Sequence, residues 1–240
     1  VVQRIVLLMV VGVAFTHSIA DAHYLWVKID QGNGDHGTAN IYFEHSAAAG
    51  DGHYLDPFLE SKTTWIRTVA EIEPKRLSLV EKRAEPDKRW VETPLPAKNP
   101  RSVDSYWLFG VYQYGKTNVL LHYYARYLDV DSHEDLHELG RADQMALDMV
   151  PHDSGRKLEL RVLWNGKPVP DSVVHVRGPK GYKHNFTTDK RGIVRLTIGE
   201  DGEYSFRTSF EEQKAGKHGE EQYESIRHTA TLMMTLPLSE

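Results

Sequence analysis

The sequence predicts a mainly β protein of two antiparallel β-sandwich units, the second immunoglobulin-like, with one or two short helices in the first. Three observations carry that expectation. Apolar and polar residues alternate over His23–Asp30 and again over Thr38–His45. Beyond residue 153, short apolar segments follow one another between turn sequences such as Asn165-Gly166, Gly178–Gly181, Asp189–Gly192 and Gly199–Gly202. The 240-residue chain has no cysteine, so burial rather than disulfide bonding must hold it together.

The elements follow in order. Ile5 to Phe15 is an unbroken apolar run behind Arg4, and Ala20-Asp21-Ala22 supplies the small residues that signal peptidase needs. Residues 1–22 are therefore expected to be a signal peptide, cut after Ala22 to leave His23 at the mature N-terminus. An N-terminal domain is expected over 23–153 and a C-terminal immunoglobulin-like sandwich over 154–240. In the first, Gln31–Gly37 is turn chemistry between two strands, and Pro57 suits the first turn of a helix over Asp56–Val69. Residues 71–101 are charged and proline-punctuated, which predicts loops with a short strand at Trp90–Thr93. Aromatic-rich strands follow at Tyr106–Tyr112 and Asn118–Val130, then a short exposed helix within Asp131–Gln144. In the second domain strands are expected at Leu158–Trp164, Ser172–Val176, Tyr182–Thr188, Ile193–Ile198, Glu203–Phe210 and Ile226–Leu236, and the charged stretch Glu211–Glu224 reads as a solvated loop.

Composition narrows the function classes. Lys plus Arg is 29 against 34 for Asp plus Glu, a formal charge of −5, which argues against nucleic acid or an anionic membrane surface as partner. No further segment predicts a transmembrane anchor after cleavage, so a periplasmic or secreted protein is expected. No nucleophile elbow, phosphate loop or dinucleotide fingerprint is present. The aromatic sets Trp107/Phe109/Tyr112 and Tyr123/Tyr124/Tyr127 read as core and cross-strand pairs, with a carbohydrate platform as the weaker alternative.

Thirteen histidines are the conspicuous excess. If Asp30 pairs with Thr38, positions summing to 68 lie opposite one another in a hairpin. Leu25 then meets Phe43, Val27 meets Ile41, and His23 faces His45, close enough for two imidazoles to share a metal. With the α-amine of a mature His23 this is a three-nitrogen donor set suited to copper or nickel. His122 and His53 are candidates for a further ligand. A separate motif, His133-Glu134-Asp135-Leu136-His137, continues to Gly140 and Asp143. On a helix His133 and His137 share a face, Glu134 can serve as general base, and Asp143 is a candidate third ligand for zinc. Against that reading, Asp135 puts a charge between the histidines and no apolar helical stripe is evident.

His23–Val27, Ile41–Glu44, Leu120–Arg126, Leu158–Val169 and Thr188–Gly192 together resemble the exported bacterial proteins called nickel-uptake substrate-specific components, whose shared domain has no assigned function. The tail resembles the carboxypeptidase regulatory-like sandwich. The resemblance implies an extracytoplasmic two-part β protein that handles metal, with an envelope metal transporter or acceptor protein as partner. The expectation taken forward is an exported, soluble protein for copper or nickel capture, buffering or delivery, through His23 and His45. The alternatives are a metal enzyme (a copper oxygenase using the N-terminal histidine, or a zinc protease using Glu134) and a structural or adhesive cell-envelope module without metal.

Overall fold

The computed structural model describes residues 23–238 apart from Asn33 and Lys62. The apolar segment 5–15 and the cleavage position after Ala22 lie outside the described residues. The protein is mainly β, as the alternation patterns require. Its strands are β1 (Tyr24–Asp30), β2 (Thr38–Glu44), β3 (Thr63–Thr68), β4 (Glu71–Arg76), β5 (Val80–Ala84), β6 (Lys88–Pro94), β7 (Arg101–Tyr114), β8 (Thr117–Asp129) and β9 (Leu147–Ser154). There follow β10 (Lys157–Trp164), β11 (Lys167–Pro168), β12 (Val173–Arg177), β13 (Lys183–Thr187), β14 (Ile193–Thr197), β15 (Gly202–Glu212), β16 (Gly216–His218), β17 (Glu221–Tyr223) and β18 (Ser225–Leu236). Two short helices, α1 (Leu55–Ser61) and α2 (His133–Leu139), complete the described elements with a 3-10 turn at Pro179–Gly181.

An eight-stranded sheet in the order β13-β12-β15-β18-β8-β7-β3-β4 runs through the middle of the molecule. Side-chain alternation along β8 gives it two apolar faces. Val119, Leu121, Tyr123, Ala125 and Tyr127 join Leu25, Ile41 and Phe43 in one core, covered by the sheet β1-β2-β6-β5. Tyr124 and Leu128 join Leu136, Leu139, Leu160 and Val194 in the other, covered by β10 with its neighbours β9 and β14. Two sandwiches thus share one central sheet. Their junction is the pairing of β8 with β18, the single parallel pairing among the described strands, in register from Val119–Ser225 to Leu128–Met234. A parallel neighbour needs a long crossover, and here everything from α2 to β17 supplies it. β9 spans the expected division at residue 153 and pairs along its whole length with β10.

Three local expectations are corrected. The helix over Asp56–Val69 stops at Ser61, and Thr63–Thr68 is a strand paired with β7. Its run Thr63, Thr64, Ile66 and Thr68 is β-branched, which favours the pleated state over a helix. The charged stretch after Glu71 holds three strands rather than one. β4 and β5 form the ends of their sheets, where charged residues and Pro74 suit an exposed edge. Similarly, residues 211–224 extend β15 and add a small β16–β17 hairpin. Trp107 and Tyr123 pair across β7 and β8 with the Trp107 ring fully buried, so these two are core, whereas Tyr112 is exposed.

Candidate metal centre

The ladder between β1 and β2 has the register the sequence predicts: Tyr24 faces Glu44, Leu25 faces Phe43, Val27 faces Ile41 and Asp30 faces Thr38. Just past its end the His23 and His45 rings lie with centroids 4.3 Å apart. The Tyr54 ring stands edge-on to His23 at 5.1 Å, and His23 Nε2 lies 3.7 Å from Glu44 Oε2. Glu44 is buried because its carboxylate rests on Gly50, where any side chain would collide with it, and its Oε1 accepts from the Gly52 amide at 3.3 Å. His53 sits on the same rim, its ring 4.6 Å from Tyr54, so Tyr54 stands between it and His23.

His122 does not join this set. It has even parity on β8, beside Tyr124, and so faces the opposite side of the central sheet from Phe43 and Tyr123. There its Nδ1 is 2.9 Å from Tyr106 Oη, and its ring is 4.8 Å from His228. His228 in turn bonds Tyr124 and Glu212. Burial first, then the neighbouring His228 and His218, push the His122 imidazole down to about 4. Burial also lowers His228, against the pull of Glu212.

The second motif assembles more completely. Ser132 caps α2: its Oγ accepts from the Asp135 amide at 3.2 Å and donates to Asp135 Oδ2 at 2.7 Å. Asp135 is therefore a capping residue, not a charge forced into a packed face. Leu136 and Leu139 supply the apolar side of the helix, both buried in the core shared with β8 and β10. Their burial sets the helix rotation, and His133 and His137, one turn apart, meet with ring centroids at 4.4 Å and Nε2 atoms at 2.9 Å.

The third ligand expected at Asp143 is not there. The helix ends at Leu139, and Asp143 is exposed in the following loop, ion-paired to Arg141 at 2.8 Å. His152 takes that place from β9, its ring 5.1 Å from both His133 and His137. One donor atom from each of the three lies within 4.8 Å of the others, and no other such group of three or more exists among the described residues. Sequence reasoning missed His152 because only the pairing of β9 with β10 brings it beside α2. A His-Asp pair on a strand was the available signal.

Asp153 adds a feature typical of metal ligands' surroundings. Its buried carboxylate lies 2.7 Å from His133 Nδ1. It accepts the Nδ1 proton, fixes the tautomer and leaves the His133 Nε2 lone pair pointing at the other rings. The 2.9 Å contact then requires His137 Nε2–H to donate to His133 Nε2, so one proton occupies the position a cation would take. The C-terminal end of α2 is equally constrained. The carbonyls of Leu139 and Arg141 accept from Arg67 at 3.1 and 2.7 Å, and that of Gly140 accepts from Arg126 at 2.7 Å. Both guanidiniums are buried and share Asp104, at 3.0 and 2.9 Å. Glu134 is exposed and has no hydrogen bond or ion pair among the described residues.

No protein-family model matches the chain, and no curated protein matches it. Among solved structures it is similar to a biofilm-associated protein, BSP domain, at 9% identity and a TM-score of 0.22, over 87% of this chain and 51% of that one. The chain thus spans about half the length of that structure. A likeness at this level assigns neither fold nor function.

Proposed function

We propose that the protein binds a late divalent transition metal (copper, nickel or zinc) through His133, His137 and His152. The observation that carries this reading is the convergence of three imidazoles with a buried carboxylate oriented on the back of one of them. Imidazole suits all three metals. Two of the three rings are exposed, which favours capture and release over burial of a permanent structural ion. The sequence resemblance to exported nickel-uptake components and the leader-like segment before His23 favour a role outside the cytoplasm. No described helix is long and apolar enough to cross a membrane. The His23–His45 pair forms a second, weaker donor set, completed by the α-amine if the chain is cut after Ala22. Titration calorimetry with each metal, on wild type and His152→Ala, tests the proposal. One tight equivalent lost in the variant is expected. No uptake by the wild type overturns it and leaves the structural or adhesive envelope module.

A second reading is a metal-dependent hydrolase. His133-Glu134-x-x-His137 on one helical turn, with a third histidine from a strand, leaves a coordination position for water and provides a general base. Glu134→Gln separates the two: loss of peptide hydrolysis with metal affinity retained favours the enzyme, and absence of hydrolysis in the wild type removes it.

A further inference from the structure

Between α2 and the outer face of β9 and β10 lies a groove of about 370 Å³ whose lining includes His137 and His152. Its apolar lining includes Val150, Leu163 and Ile193. That volume is at the lower end of small-molecule sites and well above the needs of a bare ion. The charges on its walls are unequal in their commitments. Glu159 is held by Arg195 at 2.7 Å, and Arg141 by Asp143 at 2.8 Å. Arg161 has no ion pair or hydrogen bond among the described residues, and it is an exposed side chain on the same face of β10 as Glu159, whose ladder partner is His152.

We propose that this groove binds a small polycarboxylate, so that the metal is held as a ternary complex with an organic acid. The inference rests on metal binding at His133, His137 and His152. Three neutral imidazoles leave the ion's charge uncompensated and a coordination position open, which an anionic fourth donor can fill. One carboxylate of the acid meets the metal, a second meets the Arg161 guanidinium in a paired hydrogen-bond geometry, and the carbon skeleton lies on Val150, Leu163 and Ile193. A monatomic anion fills too little of the groove and gains nothing from its apolar part. The chemistry is binding only: no bond in the acid is made or broken.

The test is calorimetric titration of citrate into nickel-loaded and metal-free protein, for wild type and Arg161→Gln, with nickel alone titrated into both beforehand. Arg161 is exposed and contributes no metal donor, so both proteins are expected to take up nickel equally. Loaded wild type is expected to bind citrate at least about tenfold more tightly than loaded Arg161→Gln and than metal-free wild type. Equal citrate affinity in the two loaded proteins, or citrate removing nickel from wild type without forming a complex, overturns the groove proposal while leaving the metal site standing. Failure of the wild type to bind nickel, copper or zinc at all overturns the metal reading and the groove proposal together.

Discussion

Two histidine pairs have almost the same spacing, 4.3 Å between ring centroids for His23–His45 and 4.4 Å for His133–His137, yet their surroundings differ. The ladder pair lies beside aromatic rings, with the Glu44 carboxylate 3.7 Å from His23 Nε2, whereas a chelate with the α-amine would use the other ring nitrogen, Nδ1. The helical pair has a third imidazole on its open side and its carboxylate on the far nitrogen, at 2.7 Å. Proximity of two imidazoles is thus common to both, and the third imidazole together with the close carboxylate contact separates them. A carboxylate behind a ring orients a donor. At 3.7 Å Glu44 is too distant to fix the His23 ring by a hydrogen bond.

The largest effect is expected from Asp104→Ala, which leaves Arg67 and Arg126 buried without their shared partner. Removing one side of such a network costs about 3–5 kcal/mol. Urea denaturation should show that loss, and because those arginines hold the end of α2, metal uptake at the helical site should fall with it. His152→Ala should weaken metal binding about 100-fold, roughly 2.7 kcal/mol, whereas the same metal titration on His45→Ala should leave the tight equivalent unchanged. Asp153→Ala should cost about tenfold in affinity, since orienting partners are worth about 10–100-fold; an unchanged affinity would remove the argued distinction between the two pairs.

The buried pair His122–His228 supplies the smallest effect and a control. The folded state keeps His122 neutral down to about pH 4, while the unfolded chain takes up a proton near 6.5. Between those values the unfolded state binds more protons, so stability is full above the upper one and is lost as pH falls toward the lower. His228 shifts in the same direction. Thermal melts across that window should show a decline that His122→Gln reduces, with no change in metal affinity at neutral pH.

What the sequence revealed follows from the range of each signal. The β1–β2 register was legible because a one-residue slip would bury Tyr24, Lys28 and Tyr42 in place of Leu25, Val27 and Ile41, and the contact of His23 with His45 comes with it. Strands of the second half were legible through their turns. β4 and β5 were not, because sheet-edge strands such as these carry exposed, charged residues instead of an alternating apolar face. The helical metal site was half legible: the i, i+4 spacing is local, but His152 and Asp153 reach it through a strand pairing nineteen residues downstream of His133. Asp143 was attractive only because it is close in sequence. His122 was misassigned because parity along β8 is fixed by two cores, and sequence alone does not say which of them lies over the hairpin.

The parallel junction of β8 and β18 has a consequence for the order of events as the chain is made. β18 occupies the centre of the shared sheet, and its Met233 enters one core while Leu232 and Met234 enter the other. Until residues 225–236 have been synthesised, β8 lacks one neighbour from Val119 to Leu128, and neither core can close. Contacts at such long sequence separation form slowly. A polypeptide that emerges residue by residue therefore leaves both cores open until β18 has emerged.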